Sequence, residues 1–311
     1  MTTQNKALTS LLSGLLVIMV PIRLISVPYD TARREVRMGQ GPGCFPTHGV
    51  AERLNALGHD VATTSIDVRS EFPAEVATAF EVMRLVADEV RHAVARREFP
   101  VILAGNCNTS VGTVSGLSPH RTGVVWFDGH ADFETPESSS SGFIDGMGLA
   151  ILTGHCWRTI AQSINGYRPV PEKHVILVGA SDIDPLERSR LGQSQITYLS
   201  DEVLNSDDGD RMLGTALDQI GIEVDGIYLH VDLDVHDPRI ARANHFRPPG
   251  GLTPQRLREA IRTTRNHSNI LAASVNAYDP SVDPAGVTLE SGLAIIETIA
   301  ARLPAAKPIE G

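Results

Sequence analysis

Cysteine is scarce in this chain: Cys44, Cys107 and Cys156 are the only thiols in 311 residues. An odd number without close spacing excludes a disulfide framework and a zinc ribbon, and it points to a reducing compartment, the cytoplasm. Positive charge is short as well, with 27 Lys and Arg against 37 Asp and Glu and a formal net charge of −10. A surface of that sign does not attract polyanions, so no nucleic-acid partner is expected and a small-molecule substrate, cationic ones included, suits it better. No apolar run reaches the roughly 20 residues that span a bilayer comfortably, so no membrane partner is expected either. Internal repeats, low-complexity blocks and linkers are also missing, and a single domain is the simplest organisation.

The most apolar stretch, 11–20, follows a lone Lys6 as a secretion signal would, but no small-x-small cleavage site follows it. It runs directly into Ile22–Val27, which reads as the first core strand. Three readings stay open: a weak signal sequence, an extra helix packed on the domain, or an upstream extension with the natural start at Met19. The last two are preferred over export. The chain divides accordingly into an apolar extension, 1–19, and one catalytic domain, 20–311.

With 42 % hydrophobic residues a sizeable core is available. Strand-like and helix-like stretches alternate. Strands are expected at Ile22–Val27, 61–66, Phe99–Ala104, 122–127, Val175–Val178, 226–231 and 270–275. Helices are expected at 50–57, 74–97, 147–153, 211–220, 254–265 (capped by Thr253) and 292–302, and Gly39 to Gly43 reads as a turn-rich loop. In 74–97 the apolar positions Val76, Ala79, Phe80, Met83, Val86, Ala87, Val90 and Val94 step by three and four, one face of a long helix. This alternation implies an α/β fold with a mainly parallel sheet covered on both faces, and ligands then sit beyond the carboxyl ends of the strands. The chemically loaded residues fall there: 106–108, 128–132, 181–184, 230–237 and 276–279.

Two motifs stand out, Asp128-Gly129-His130-Ala131-Asp132 and His230-Val231-Asp232-Leu233-Asp234. Side chains alternate faces along an extended segment, so Asp128, His130 and Asp132 are expected to point one way, and Asp232 with Asp234 likewise. Carboxylates gathered at strand ends repel one another unless cations sit among them. An oxygen-rich donor set with one nitrogen suits manganese or magnesium.

On these motifs the chain resembles the arginase–agmatinase family, the manganese ureohydrolases, from Ile22 to Leu303. The resemblance extends to Thr135-Pro136, Ser141-Gly142, Asp182-Ile183-Asp184, Asp237-Pro238 and Gly250-Gly251-Leu252-Thr253. It implies a three-layer α-β-α domain and a centre for two Mn2+ ions, with Asp128, Asp132 and Asp232 facing both ions, His130 binding one and Asp234 the same or the other. It also implies a homo-oligomer, a trimer or hexamer.

Four departures qualify the resemblance. The family's first metal-binding histidine lies in a G-G-D-H-S segment; here Ala104-Gly105-Asn106-Cys107-Asn108 puts Cys107 in its seat, with Asn106 or Asn108 there if the alignment shifts. A thiolate is soft and prefers zinc or copper(I) to manganese, and a small buried filler is the other reading of Cys107. Second, the glutamate that pairs with a guanidinium after the last strand has no counterpart in Ser274-Val275-Asn276-Ala277-Tyr278-Asp279-Pro280, where the nearest acid is Asp279. Third, Asp145 stands in the place of a proton-shuttling histidine, Phe143 in that of a polar contact and Glu134 in that of an asparagine. Fourth, His230 replaces a small residue, either to donate a proton to a leaving amine or to hydrogen-bond a metal carboxylate.

The expected function is manganese-dependent hydrolysis of a non-peptide C–N bond in a guanidino, hydroxyguanidino or formimino substrate, through attack by a metal-bridging hydroxide. Asp132, His230 and Asp145 are the candidate catalytic groups. Glu134, Ser141, Asp184 and Asp279 are the candidate substrate contacts, and Cys107, Asp128, His130, Asp132, Asp232 and Asp234 the candidate metal ligands. The alternative is a relative without turnover that serves as a partner subunit or sensor.

Overall fold

The computed structural model describes residues 20–70, 74–301 and 303. The extension 1–19 lies outside the described residues. The apolar runs read as strands form β1 (Ile22–Val27), β2 (Val61–Ser65), β3 (Phe99–Ala104), β4 (Thr122–Phe127), β5 (Val175–Val178), β7 (Gly226–Asp232) and β8 (Ile270–Asn276), and a three-residue strand that the sequence reading did not include, β6 (Thr197–Leu199), joins them. They make one eight-stranded sheet in the order β2-β1-β3-β8-β7-β4-β5-β6, parallel throughout. Every residue of β3, β4, β5 and β7 is buried, as a strand covered on both faces requires. The edge strands β2 and β6 are partly exposed.

The longer helices are α1 (Gly41–Thr47), α2 (Val50–Ala56), α3 (Glu75–Ala95), α4 (Thr109–Gly116), α5 (Pro185–Gln193), α6 (Gly209–Gly221), α7 (Pro254–His267) and α8 (Val287–Ala300). Two apolar layers separate them. On one face Ile102, Val124, Trp126 and Leu177 pack with Phe80, Met83 and Val86 of α3 and Val111 of α4. On the other, Leu103, Val125, Phe127 and Ile176 pack with Leu54 of α2, Leu217 of α6, Ile261 of α7 and Ile296 of α8. Adjacent strand residues thus serve opposite layers, and the single three-layer α-β-α domain is the expected one.

The late strands β7 and β8 insert between β3 and β4. That crossover sets the carboxyl ends of β3, β8, β7 and β4 side by side, and the loops that leave them share one crevice.

Local departures from expectation have physical causes. Gly39 to Gly43 is not a loop: a 3-10 turn, Arg37–Gln40, leads into α1, with Pro42 tolerated in its first turn and Phe45 buried. The last helix starts at Val287 rather than near 292, because the Asp283 carboxylate accepts the Val287, Thr288 and Leu289 N–H groups at its start. Helix α4 has no amphipathic period to read, since all its residues are buried. It packs on α3 through glycine: a Cβ at Gly112 would lie 2.3 Å from the Met83 carbonyl oxygen, and one at Gly116 2.7 Å from that of Ala87.

Gly112→Ala should therefore push α4 off α3 and cost about 1–3 kcal/mol, the usual range for overpacking. Denaturant titration against the unaltered protein checks this; an unchanged midpoint would mean that the two backbones do not approach so closely.

Candidate metal centre

The residues of the two motifs meet, but not by strand alternation. β4 ends at Phe127, and Asp128 opens a loop in which its Oδ1 accepts the His130 N–H at 2.7 Å. Asp132 sits in left-handed backbone at φ 49°, with its carbonyl accepting from Leu149 and Ala150. Asp232 ends β7, and its Oδ1 accepts the Asp234 N–H at 2.7 Å. Each pair is a tight turn closed by the first carboxylate. The same-face expectation reaches the right neighbours by the wrong route.

These carboxylates are almost wholly buried: Asp128 is 1 % exposed, Asp232 and Asp234 3 % each. The Oδ2 of Asp128 accepts the Trp126 Nε1–H at 2.9 Å, and Oδ2 of Asp232 accepts the Cys107 S–H at 2.9 Å. Asp234 accepts from Gly129 N and from Asn244 Nδ2. His130 Nδ1 lies 3.3 Å from Asp234 Oδ2 and 3.5 Å from Asp128 Oδ1, while its Nε2 meets the Phe246 carbonyl. Asp132 Oδ2 is buried without a hydrogen-bond partner, a costly state for a carboxylate oxygen.

The electrostatics follow from this crowding. Burial and then the neighbouring carboxylates hold Asp132 and Asp232 well above the ordinary carboxylate range. Burial opposes charge on His130, yet Asp234 and Asp128 beside it prevail, and its pKa stands well above that of a free imidazole. Against its own burial, His130 keeps Asp234 below the usual range. Burial and the adjoining acids raise the Cys107 thiol. Without cations the cluster is thus held together by protons, which a divalent ion would displace.

Among the described residues, two donor groups have ligand atoms within 4.8 Å of one another: Asp128, His130 and Asp234, and Cys107, Asp128 and His230. The first, two oxygens and a nitrogen, fits a hard divalent ion, and the unpartnered Asp132 oxygen fits the same demand. The second contains sulfur and is softer than manganese prefers.

A cleft of about 400 Å³ opens over this cluster. Cys107, His130, Asp132, Glu134, Ser141, Asp145, Asp184, Asp232 and Asp234, all candidate site residues from the sequence, line it. Asp128 lies behind the wall. His230 and Asp279 do not line the cleft. His230 is fully buried in the sheet, stacked on Trp126 at 3.6 Å between centroids, which removes it from reach of a leaving amine. Asp279 is 2 % exposed and caps a short turn by accepting the Ser281 N–H, so it makes no substrate contact.

Asp145 lines the cleft with both oxygens engaged, by Asn106 Nδ2 at 2.6 Å and by the Asn108 N–H at 3.1 Å, and it anchors the loop that carries Cys107. Asn244, Glu187 and Phe246 also line the cleft. Sequence reading missed all three: Asn244 and Phe246 stand in an irregular loop outside any motif, whereas Glu187, one turn after Asp184 in α5, could have been found by helical spacing. Glu187 Oε1 accepts the Phe133 N–H at 2.7 Å.

An open parallel α/β sheet with acids and imidazole gathered over its central strand ends is the architecture of the ureohydrolase class. The family model of the Arginase family matches residues 20–301, and the chain belongs to that family of hydrolytic enzymes. Among its relatives, an arginase of Bacillus caldovelox is 29 % identical over 297 residues, covering 90 % of this chain and 98 % of the relative. The solved arginase from that organism superposes with a TM-score of 0.82 at 27 % identity, over 91 % of this chain and 98 % of the other. The Bacillus cereus arginase gives a TM-score of 0.82 at 25 % identity, over 90 % and 98 %. Among the described residues no helix is long and apolar enough to cross a membrane.

Burial pushes Asp145 and Glu187 up to about 7. An acid whose folded pKa lies above its unfolded value of about 4 carries more protons when folded, so it lowers stability as pH rises from about 4 to about 7. In chelator the Tm should fall across that window, and a divalent cation, which needs ionised ligands, should raise Tm more at pH 7 than at pH 5. A chelator Tm that stays flat or climbs over this range would contradict the assignment.

Proposed function

We propose that this chain hydrolyses a C–N bond of a guanidine-type small molecule in the cleft, with divalent cations held by Asp128, His130, Asp132, Asp232 and Asp234, manganese being the ion the family resemblance suggests. The observation that carries the reading is the gathering of these acids under one cleft, with an oxygen of Asp132 left unpartnered. Divalent ions, when bound, supply Lewis acidity and make water nucleophilic near neutral pH.

The chain's own groups do the rest. Asp132, ionised once an ion is held there, would orient an attacking water by accepting its hydrogen bond. Asp145, on the cleft wall with a pKa of about 7, is suited to exchange a proton near neutrality. Glu134, Asp184 and Glu187 line the cleft as acids and suit an ammonium group on the substrate's far end, and Ser141 adds a hydroxyl. Phe143 and Phe246, 5.7 Å apart between centroids, form an apolar wall that limits water.

At the reacting end, Ala277 lines the cleft just after β8, where the family's glutamate has no counterpart. A planar cation facing no carboxylate there binds less well, so a hydroxyguanidino substrate is favoured over an unmodified guanidino one, with a formimino group as the other candidate. The relatives named arginase support guanidino chemistry as a class. Three unpaired thiols support a cytoplasmic setting, and the family resemblance supports a trimeric or hexameric assembly.

Release of urea, hydroxyurea or formamide from guanidino, hydroxyguanidino and formimino acids in the presence of manganese tests the reading. Turnover should be highest on the hydroxyguanidino acid. Asp132→Asn should lower kcat by more than the roughly 10–100-fold typical of groups that merely support metal ligands. Turnover of arginine alone would overturn the substrate assignment; no turnover of any of the three would overturn the proposed activity.

A further inference from the structure

Cys107 leaves the centre one imidazole short of the expected set, and a second imidazole stands within reach. The Nε2 of His230 lies 3.7 Å from Asp128 Oδ2, and the two join Cys107 Sγ in one donor group within 4.8 Å. All three side chains are buried. His230 belongs to β7, two residues before Asp232, so it approaches from inside the sheet rather than from the cleft.

The surroundings of the ring are those of a metal ligand. Its far nitrogen, Nδ1, sits in a polar nest: Ser110 Oγ at 2.9 Å, Asn276 Nδ2 at 2.9 Å and Ser274 Oγ at 3.3 Å. Stacking on Trp126, with an interplanar angle of 14°, fixes the ring plane. The Trp126 indole N–H is also the donor to Asp128, so one side chain positions two members of the group. Asn276 Oδ1 is buried without a partner. Half a turn of that amide would set Oδ1 against Nδ1 as the acceptor of its proton, with the amide NH2 taking the place where Oδ1 now stands. Nε2, with the Asn276 amide 3.5 Å away, would then present its lone pair to the group formed with Cys107 and Asp128. A ligating histidine ordinarily has its other nitrogen held in this way.

We propose that His230 supplies the imidazole lost at position 107, and that Cys107, Asp128 and His230 form a thiolate-containing seat for a zinc-like ion beside the harder seat of Asp128, His130 and Asp234. Sulfur, nitrogen and oxygen donors in a closed, buried site are a zinc-type set. Binding there releases the thiol proton that Asp232 now accepts as a hydrogen bond. The inference rests on the reading of this centre as a divalent-ion site, and not on the substrate.

The test is metal binding by the full-length protein, stripped with chelator and reloaded with zinc, cobalt(II) or manganese. Zinc outcompetes manganese at most nitrogen and oxygen sites, so the variants decide. The unaltered protein should bind zinc with sulfur and imidazole together in the ligand shell of one ion per chain by X-ray absorption, whatever fills the harder seat, and cobalt should give a thiolate-to-metal charge-transfer band. Cys107→Ser should abolish that band. His230→Gln should weaken zinc binding by about 100-fold or more, beyond the effect of losing a merely supporting group, and Asp234→Asn should leave zinc affinity little changed while weakening manganese.

Zinc bound by nitrogen and oxygen alone in the unaltered protein would overturn the proposal, and that measurement needs no variant to fold. Unchanged zinc affinity in a folded His230→Gln protein would overturn it equally. Since uptake and spectra are read without turnover, a protein that binds zinc through sulfur but hydrolyses nothing would sink the proposed activity and leave this assignment standing.

Discussion

Asp128 is the side chain on which the rest of the centre depends. Both of its oxygens are engaged, one by the His130 N–H and the other by the Trp126 indole, and it belongs to both donor groups. Its burial beside Asp232, Asp234 and Asp132 is affordable only because each charge is met by a donor, a proton or a cation. The sheet makes this possible: β4 and β7 are adjacent and parallel, with Trp126 opposite His230 in register, so the two acidic turns leave the sheet at the same height.

The remainder of the fold holds that juncture still. Fully buried strands give the turns a rigid base, and glycine lets α4 lie directly on α3, which fixes the short segment between β3 and α4 that carries Cys107. Asp145 then ties Asn106 and Asn108 by direct hydrogen bonds. The cleft acids Glu134, Asp184 and Glu187 come from loops and a helix start beyond β4 and β5, outside this rigid base. The positions of the buried acids are thereby set by the sheet, and the rim of the cleft by the elements above it.

Much of this was legible beforehand. The fully apolar strands announce a sheet covered on both faces, the three-and-four spacing announces α3, and the acids after β4 and β7 announce the centre. What stayed hidden had no periodic signal. Helix α4, with the sequence TSVGTVSG, is buried all round and shows no face. α1 carries proline and glycine that argue for a loop, yet Phe45 in the core overrides that preference. Alternation placed His130 near Asp128 but could not foresee that both acidic segments are turns, because a turn closed by an aspartate looks the same in sequence as the end of a strand. His230 was visible as an odd residue beside a metal motif, but only the stacking on Trp126 and the nest around Nδ1 show that it faces inward and away from substrate.

Cys107 and His230 are best understood together. A thiol alone in the histidine's seat would soften the centre and leave it an imidazole short, among acids that already repel one another. A histidine alone in the middle of β7 would face Asp128 but no sulfur donor. Together the thiol, the ring and Asp128 make a complete donor group, and the polar side chains Ser110, Ser274 and Asn276 beneath the ring have a use that a small residue at position 230 would not give them. Buried polar groups persist when they are satisfied as a network and are costly otherwise. The cluster under β7 and β8 is therefore an extension of the metal centre into the core of the sheet, and the same carboxylates are held from below as well as from the cleft.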